Sequence, residues 1–208
     1  MKTLITITTI LLTIASTSSA QAPSNVRVLF RLESLSAITI EGTSTVNSFS
    51  CTSKFIQGYG NLSGDPTTPE YSEVSAEVAA QVKLFDCGNS RMNKDLWKAL
   101  QSDQHPLIMY TLDTASVSLP SDGRNEEIDV SASGTLTIAG TERPVELQLK
   151  AVQLSENLYS AIGTHEILMS DFNVEPPKAL FGLIKARDRI TIHFDLKTRL
   201  TTLQLMQN

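Results

Sequence analysis

The chain has no surplus of basic charge, no long apolar run beyond its first twenty residues, and only two cysteines and three histidines. Each shortage removes a class of function. Its 17 Lys and Arg stand against 22 Asp and Glu, spread along the sequence rather than clustered. The basic surface that neutralises phosphates is therefore missing, and no nucleic-acid partner is expected. Crossing a bilayer as a helix takes roughly 20 apolar residues, and no stretch after the N-terminus comes near that length. Gly-x-Ser-x-Gly, His-Glu-x-x-His and a phosphate-cradling glycine loop are absent, so the common signatures of serine hydrolases, zinc peptidases and nucleotide enzymes are not met. Neither a fixed-period repeat nor a low-complexity linker marks a domain boundary.

What is present begins with a leader pattern. Lys2 precedes an apolar run from Leu4 to Ile14, followed by the small residues Ala15 to Ala20. Charge, apolar stretch and small-residue exit in that order read as a signal peptide over residues 1–20, cleaved after Ala20. No cysteine follows the run, so lipid attachment is not expected. The mature part, residues 21–208, is read as one exported domain without a transmembrane segment and with length for a sizeable core. Without Lys2, 16 basic against 22 acidic side chains leave −6. Both cysteines, Cys51 and Cys87, fall in the exported part. An even pair in an oxidising compartment favours a disulfide, two buried free thiols being the other reading. Neither cysteine has a second cysteine or histidine at zinc-ligand spacing, so no metal site is expected.

One device recurs along the chain, the alternation of apolar and polar residues. Ile128, Val130 and Ala132, then Leu136 and Ile138, share one parity; Val145, Leu147, Leu149 and Ala151 share another; Ile190, Ile192, Phe194 and Leu196 a third. Period two means a strand with one dry and one wet face. Less regular segments run through Val26–Leu32, Ala37–Glu41, Ser50–Leu62, Tyr71–Leu84, Pro106–Val117 and Leu158–Leu168, giving eight or nine strands. Gly64-Asp65-Pro66 and Pro120 to Glu127 read as loops, and Ala139-Gly140-Thr141-Glu142 as a tight hairpin connection. Short links favour antiparallel neighbours. Asn89 to Ser102 alone is helical: Met92, Leu96 and Leu100 form a stripe, Asn89 or Ser90 can cap it, and Pro106 forbids continuation. A shorter helical turn is expected at Ser44–Phe49. So little helix cannot cover such a sheet, which must pack against a second sheet or close on itself. The pattern alone leaves sandwich and barrel open.

The run Gly134-Thr135-Leu136-Thr137-Ile138-Ala139-Gly140-Thr141-Glu142-Arg143-Pro144-Val145-Glu146-Leu147 resembles the hallmark of the YceI-like family, Gly-x-Leu-Thr-Ile-x-Gly-x-x-Arg-Pro-Val-x-Leu. Cys87 to Leu100 resembles the family's helix, His105 to Tyr110 its next strand, and Met169-Ser170-Asp171-Phe172, Glu175-Pro176-Pro177 and Asp188 to Ile192 its closing segment. The likeness spans roughly Ala37 to Leu200. One departure stands out, Asn93-Lys94-Asp95-Leu96 in place of the usual Arg-Asp-x-His-Leu box. The paired cysteines are typical of only part of the family.

The resemblance implies an all-β fold, an extended antiparallel eight-stranded lipocalin-like barrel with one short amphipathic helix. It further implies residence in the periplasm or secretion, a long-chain amphiphile such as an isoprenoid quinone or polyisoprenoid as ligand, and in some members a homodimer. No cofactor is expected beyond such a bound lipid. Apolar-parity residues supply the candidate ligand contacts: Ile38, Ile40, Phe49, Phe55, Val82, Leu84, Trp97, Ile108, Tyr110, Leu136, Ile138, Phe172, Phe181, Ile192 and Phe194. For each, ordinary core packing is the competing reading. The segment Pro176–Ile184 either covers a barrel mouth or packs on the barrel end. No catalytic residue is expected: His193 sits at an outward parity and His105 in a turn before Pro106, without a carboxylate to orient either. The alternatives are a structural or interaction barrel filled by side chains, and a hydrolase using His105, His165 or His193.

Overall fold

The computed structural model describes residues 26–64, 73–118, 127–179 and 183–204. The leader at residues 1–20 and the candidate Phe181 lie outside the described residues. Eight strands close into a ring: β1 (Val26–Leu32), β4 (Ile56–Gly64), β5 (Glu73–Gln81), β6 (Leu107–Ser118), β7 (Glu127–Ile138), β8 (Thr141–Ser155), β9 (Leu158–Leu168) and β11 (Ile184–Gln204), which returns to β1. Every pairing is antiparallel. This is the closed barrel, and closure buries the inward face that one ten-residue helix, α1 (Ser90–Ala99), is too small to cover.

The two-residue β10 (Lys178–Ala179) pairs with the start of β11. β11 is the longest strand, 21 residues, and it carries two partners in series on one edge. Its far half pairs with β1 and its near half with β2 (Ala37–Ser44), which continues into β3 (Ser48–Ser53). β1 and β2 are separated by a turn in which Ser36 N donates to Glu33 O at 3.0 Å. There the buried Ser36 hydroxyl replaces a backbone group: it accepts from Lys197 N at 3.0 Å and donates to Lys197 O at 3.2 Å. The ladder stays satisfied through the kink, as buried backbone requires.

The segment read as one strand over Ser50–Leu62 is thus two strands. Phe55 N donates to Ser53 Oγ at 3.3 Å, a local turn that frees β3 to follow β2 while β4 follows β1. Tyr71–Leu84 also differs, since the chain leaves the sheet after Gln81 into a 3₁₀ turn, Val82–Leu84. Val82 N donates to Pro106 O. Ser44–Phe49 is the β2–β3 hairpin rather than a helical turn, with Ser44 N donating to Asn47 O at 2.7 Å. The expected helix is present; Asn89 Oδ1 caps it, accepting from Arg91 N at 2.9 Å and Met92 N at 3.4 Å. At Ala139-Gly140 both residues have positive φ, 48° and 75°, the two-residue hairpin turn whose twist matches its strands.

β3 ends the hydrogen-bonded path, leaving a seam between it and the wall continuing from β4 and β5. Cys51 on β3 is disulfide-bonded to Cys87 just before α1, and Thr52 and Asp86 exchange backbone hydrogen bonds, both 2.9 Å, beside it. Phe85, 2% exposed, fills the space behind. Closing a loop with 36 residues of separation contributes about 4 kcal/mol in the chain-entropy model. Cys51→Ser with Cys87→Ser should therefore lower the unfolding free energy by about that amount, read by urea denaturation of oxidised protein against the double variant. A loss under 1 kcal/mol would show that the bridge does not hold the seam.

Candidate functional site

Inward parity brings the apolar rows of all eight ring strands onto one space of about 440 Å³, within the roughly 300–1,000 Å³ of ordinary ligand pockets. One end is closed by Leu96, Ala99 and Leu100 from the helix and by Phe172 and Val174 after β9. From there the lining runs the length of the barrel to Val28, Leu62, Val117, Tyr159 and Leu200. The β4–β5 and β6–β7 connections, at that far end, lie outside the described residues.

Ten of the candidate residues are on the cavity wall: Ile38, Ile40, Phe49, Ile108, Tyr110, Leu136, Ile138, Phe172, Ile192 and Phe194. Four are placed elsewhere. Phe55 is 66% exposed, because the turn at Ser53 carries it off the strand. Val82 and Leu84 sit in the 3₁₀ turn, where period two no longer applies; Val82 is 1% exposed inside the core and Leu84 faces out. Trp97 packs against the core cluster from the helix without reaching the cavity wall, its indole Nε1 buried without a hydrogen-bond partner. Missed by sequence reading were the inward alanines Ala76, Ala80, Ala115, Ala132, Ala151 and Ala161. These are the positions that keep the space open, because a leucine at each would project into it. Their signal was available as small residues at dry parity.

Among the described residues no lining side chain is charged, and Tyr110, Tyr159 and Thr198 supply the polar ones. The Tyr110 hydroxyl donates to Ala132 O at 2.8 Å. At Gly134 a Cβ would stand 2.2 Å from Thr111 O and 2.9 Å from the Tyr110 ring, so the hallmark glycine is required by the close neighbouring backbone as well as by this tyrosine. Opposite Gly134 the β6–β7 register shifts between Leu112 and Thr114. That bulge moves the inward parity of β6 from Tyr110 and Leu112 to Ala115 and Val117, keeping both ends of the strand apolar inside.

The three histidines are scattered. The His105 ring covers Gly140, where any Cβ would run into it. His165 shares the inward parity of Ala161 and Ile167 on β9, and burial lowers its pKa below the ordinary 6.5. His193 does have a carboxylate partner, contrary to expectation: its Nε2 lies 3.0 Å from Glu41 Oε2 on the outer face. The two strands are neighbours there, and outward side chains on adjacent strands meet. Among the described residues no hydroxyl or thiol side chain hydrogen-bonds to that ring, and no group of three or more His, Cys, Asp and Glu converges as a metal site would.

The model of the YceI-like domain matches residues 20–198. The chain belongs to the YceI-like family. Solved structures similar to it include BcnA of Burkholderia cenocepacia, 17% identical with TM-score 0.61, the match covering 80% of this chain and 98% of that one. Another is a polyisoprenoid binding domain from Saccharophagus degradans implicated in plant cell wall breakdown, 14% identical with TM-score 0.59, covering 83% and 98%. At such identity the likeness is one of fold. No curated protein matches the chain.

Tyr110 offers a direct probe of the wall. Burial, with Asp113 adding to it, pushes its pKa up to about 12 from 10.0. Because the folded value is raised, the neutral form stabilises the fold below pH 10, and that contribution is lost as pH rises from 10 through 12. Tyrosinate absorbance should show one phenol ionising near pH 12 in the folded protein, a phase missing in Tyr110→Phe. If the variant keeps that phase, the hydroxyl is not the buried donor described.

Proposed function

We propose that the protein is an exported carrier or sequestering protein that holds one long-chain amphiphile, of isoprenoid quinone or polyisoprenoid type, inside its barrel. The observation that carries this reading is a space running the length of the barrel whose lining, among the described residues, carries no charge. An alkyl or prenyl chain gains about 0.8 kcal/mol per buried methylene, so such a wall needs no further chemistry to bind it. The ten cavity-wall candidates named above are the proposed contacts.

Energetics argue against a barrel retained merely as scaffold. A space of about 440 Å³ left without an occupant forgoes the packing contacts that fill the interior of an ordinary domain. The side-chain-filled alternative predicts an interior with no such space. The family relationship and a neighbour described as polyisoprenoid binding support a lipid-like occupant. The leader pattern and the disulfide support the periplasm or secretion, where such bridges persist. Neither catalysis nor a cofactor is part of the proposal.

Protein expressed with its own leader should release a long-chain compound into organic solvent, identified by mass spectrometry. Ala132→Leu combined with Ala161→Leu should fold, judged by its urea midpoint, and lose that compound together with uptake of polyisoprenoids from detergent micelles. If the native chain yields no amphiphile and takes up none, the carrier reading is wrong.

A further inference from the structure

The ladder between β8 and β9 is incomplete. It runs from Ser155 opposite Leu158 to Leu149 opposite Gly163 and stops there, although β8 begins at Thr141 and β9 continues to Leu168. Through that stretch each strand keeps its other partner, β8 with β7 and β9 with β11. The wall of the ring is therefore parted between Gly163 and the turn after β9, where Asn173 Nδ2 donates to Thr141 Oγ1 at 3.1 Å and ties the two sides again. Pro144 lies in the parted stretch of β8. Proline has no N–H, and a strand tolerates it where one edge is asked for no ladder bond.

His165 stands beside this gap. Its register on β9 sets it opposite Ile192 of β11, and it shares the inward face with Ile167; both isoleucines line the cavity. The imidazole is half-buried and is not itself part of that lining. Among the described residues it has neither a hydrogen bond nor an ion pair, and its ring nitrogens are not sealed off from contact. Polar groups turned toward a protein interior ordinarily find partners, so a free imidazole beside an apolar cavity leaves a donor for an occupant. Burial holds its pKa below the ordinary 6.5, which makes the ring an uncharged donor and acceptor near neutral pH. Such a group suits a carbonyl. A phosphate head asks for cations, and among the described residues no charged side chain lines the cavity.

We propose that His165 is the head-group contact of the barrel, its ring N–H donating to the carbonyl oxygen of an uncharged amphiphile whose tail lies in the apolar space and whose head sits at the β8–β9 gap. The inference rests on the carrier reading and narrows it to neutral, carbonyl-bearing heads such as a quinone, an amide or an ester.

The test titrates delipidated protein with three probes of equal tail, hexadecanamide, hexadecyl phosphate and hexadecane, presented from detergent micelles. The native chain should bind the amide about tenfold more tightly than the phosphate. His165→Leu, with its fold checked by urea midpoint, should lose about tenfold in affinity for hexadecanamide and nothing for hexadecane. His165→Gln keeps an N–H donor and should lose less. In the native chain, where no substitution intervenes, the ring-nitrogen NMR signal of His165 should move on addition of the amide and stay in place with hexadecane. Equal losses for amide and hexadecane, or a phosphate bound as tightly as the amide, overturn the proposal. Uptake of hexadecanamide with an unmoved His165 signal upholds the carrier reading and removes this contact alone, whereas a native chain that takes up none of the three overturns both.

Discussion

Everything in this molecule follows from one requirement, that eight apolar strand faces be taken out of water with almost no helix to cover them. Antiparallel strands with short connections cannot supply the cover that crossover helices give a parallel sheet. Closing the ring solves the problem and pairs both edges of its eight strands, leaving β3 as the end of the sheet. The closure depends on β11, long enough to pair with β9 along one side and with β1 and then β2 along the other. Where those two partners change over, the Ser36 side chain keeps the ladder continuous.

Closure alone would give a solid barrel. The interior stays open because alanine occupies inward positions on five of the ring strands while leucine, isoleucine and valine occupy their neighbours. The large residues make the wall hydrophobic and the small ones set its radius. That arrangement sacrifices core packing inside the ring, while the Cys51–Cys87 bridge ties the end of the sheet path at β3 to the segment before the helix.

Alternation made most of this legible from the residues. The rows Ile128 to Ile138, Val145 to Ala151 and Ile190 to Leu196 all have their dry side within the barrel. Asn89 as a cap and the Ala139-Gly140 turn were read from local chemistry that tertiary context does not override, and the Cys51–Cys87 bridge from an even pair of cysteines in a chain with a leader pattern. The misplaced residues share a cause. Phe55, Val82 and Leu84 lie within three residues of a point where the chain leaves the sheet, and one turn is enough to invalidate parity counting. Trp97 belongs to a helix whose closest approach to the cavity is made by Leu96, Ala99 and Leu100. Whether the interior is full or hollow depends on alanine at positions where a hydrophobicity pattern records only that the residue is apolar. The His193–Glu41 contact was hidden for another reason, since it joins positions 152 residues apart.

The decisive measurement is a crystal structure of the protein purified from its native compartment without delipidation. The account predicts continuous elongated density along the barrel axis, bounded by Ile40, Ala132, Leu136 and Ile192 and ending short of the helix. A barrel whose own side chains rotate inward to fill that volume, leaving no channel, would contradict it.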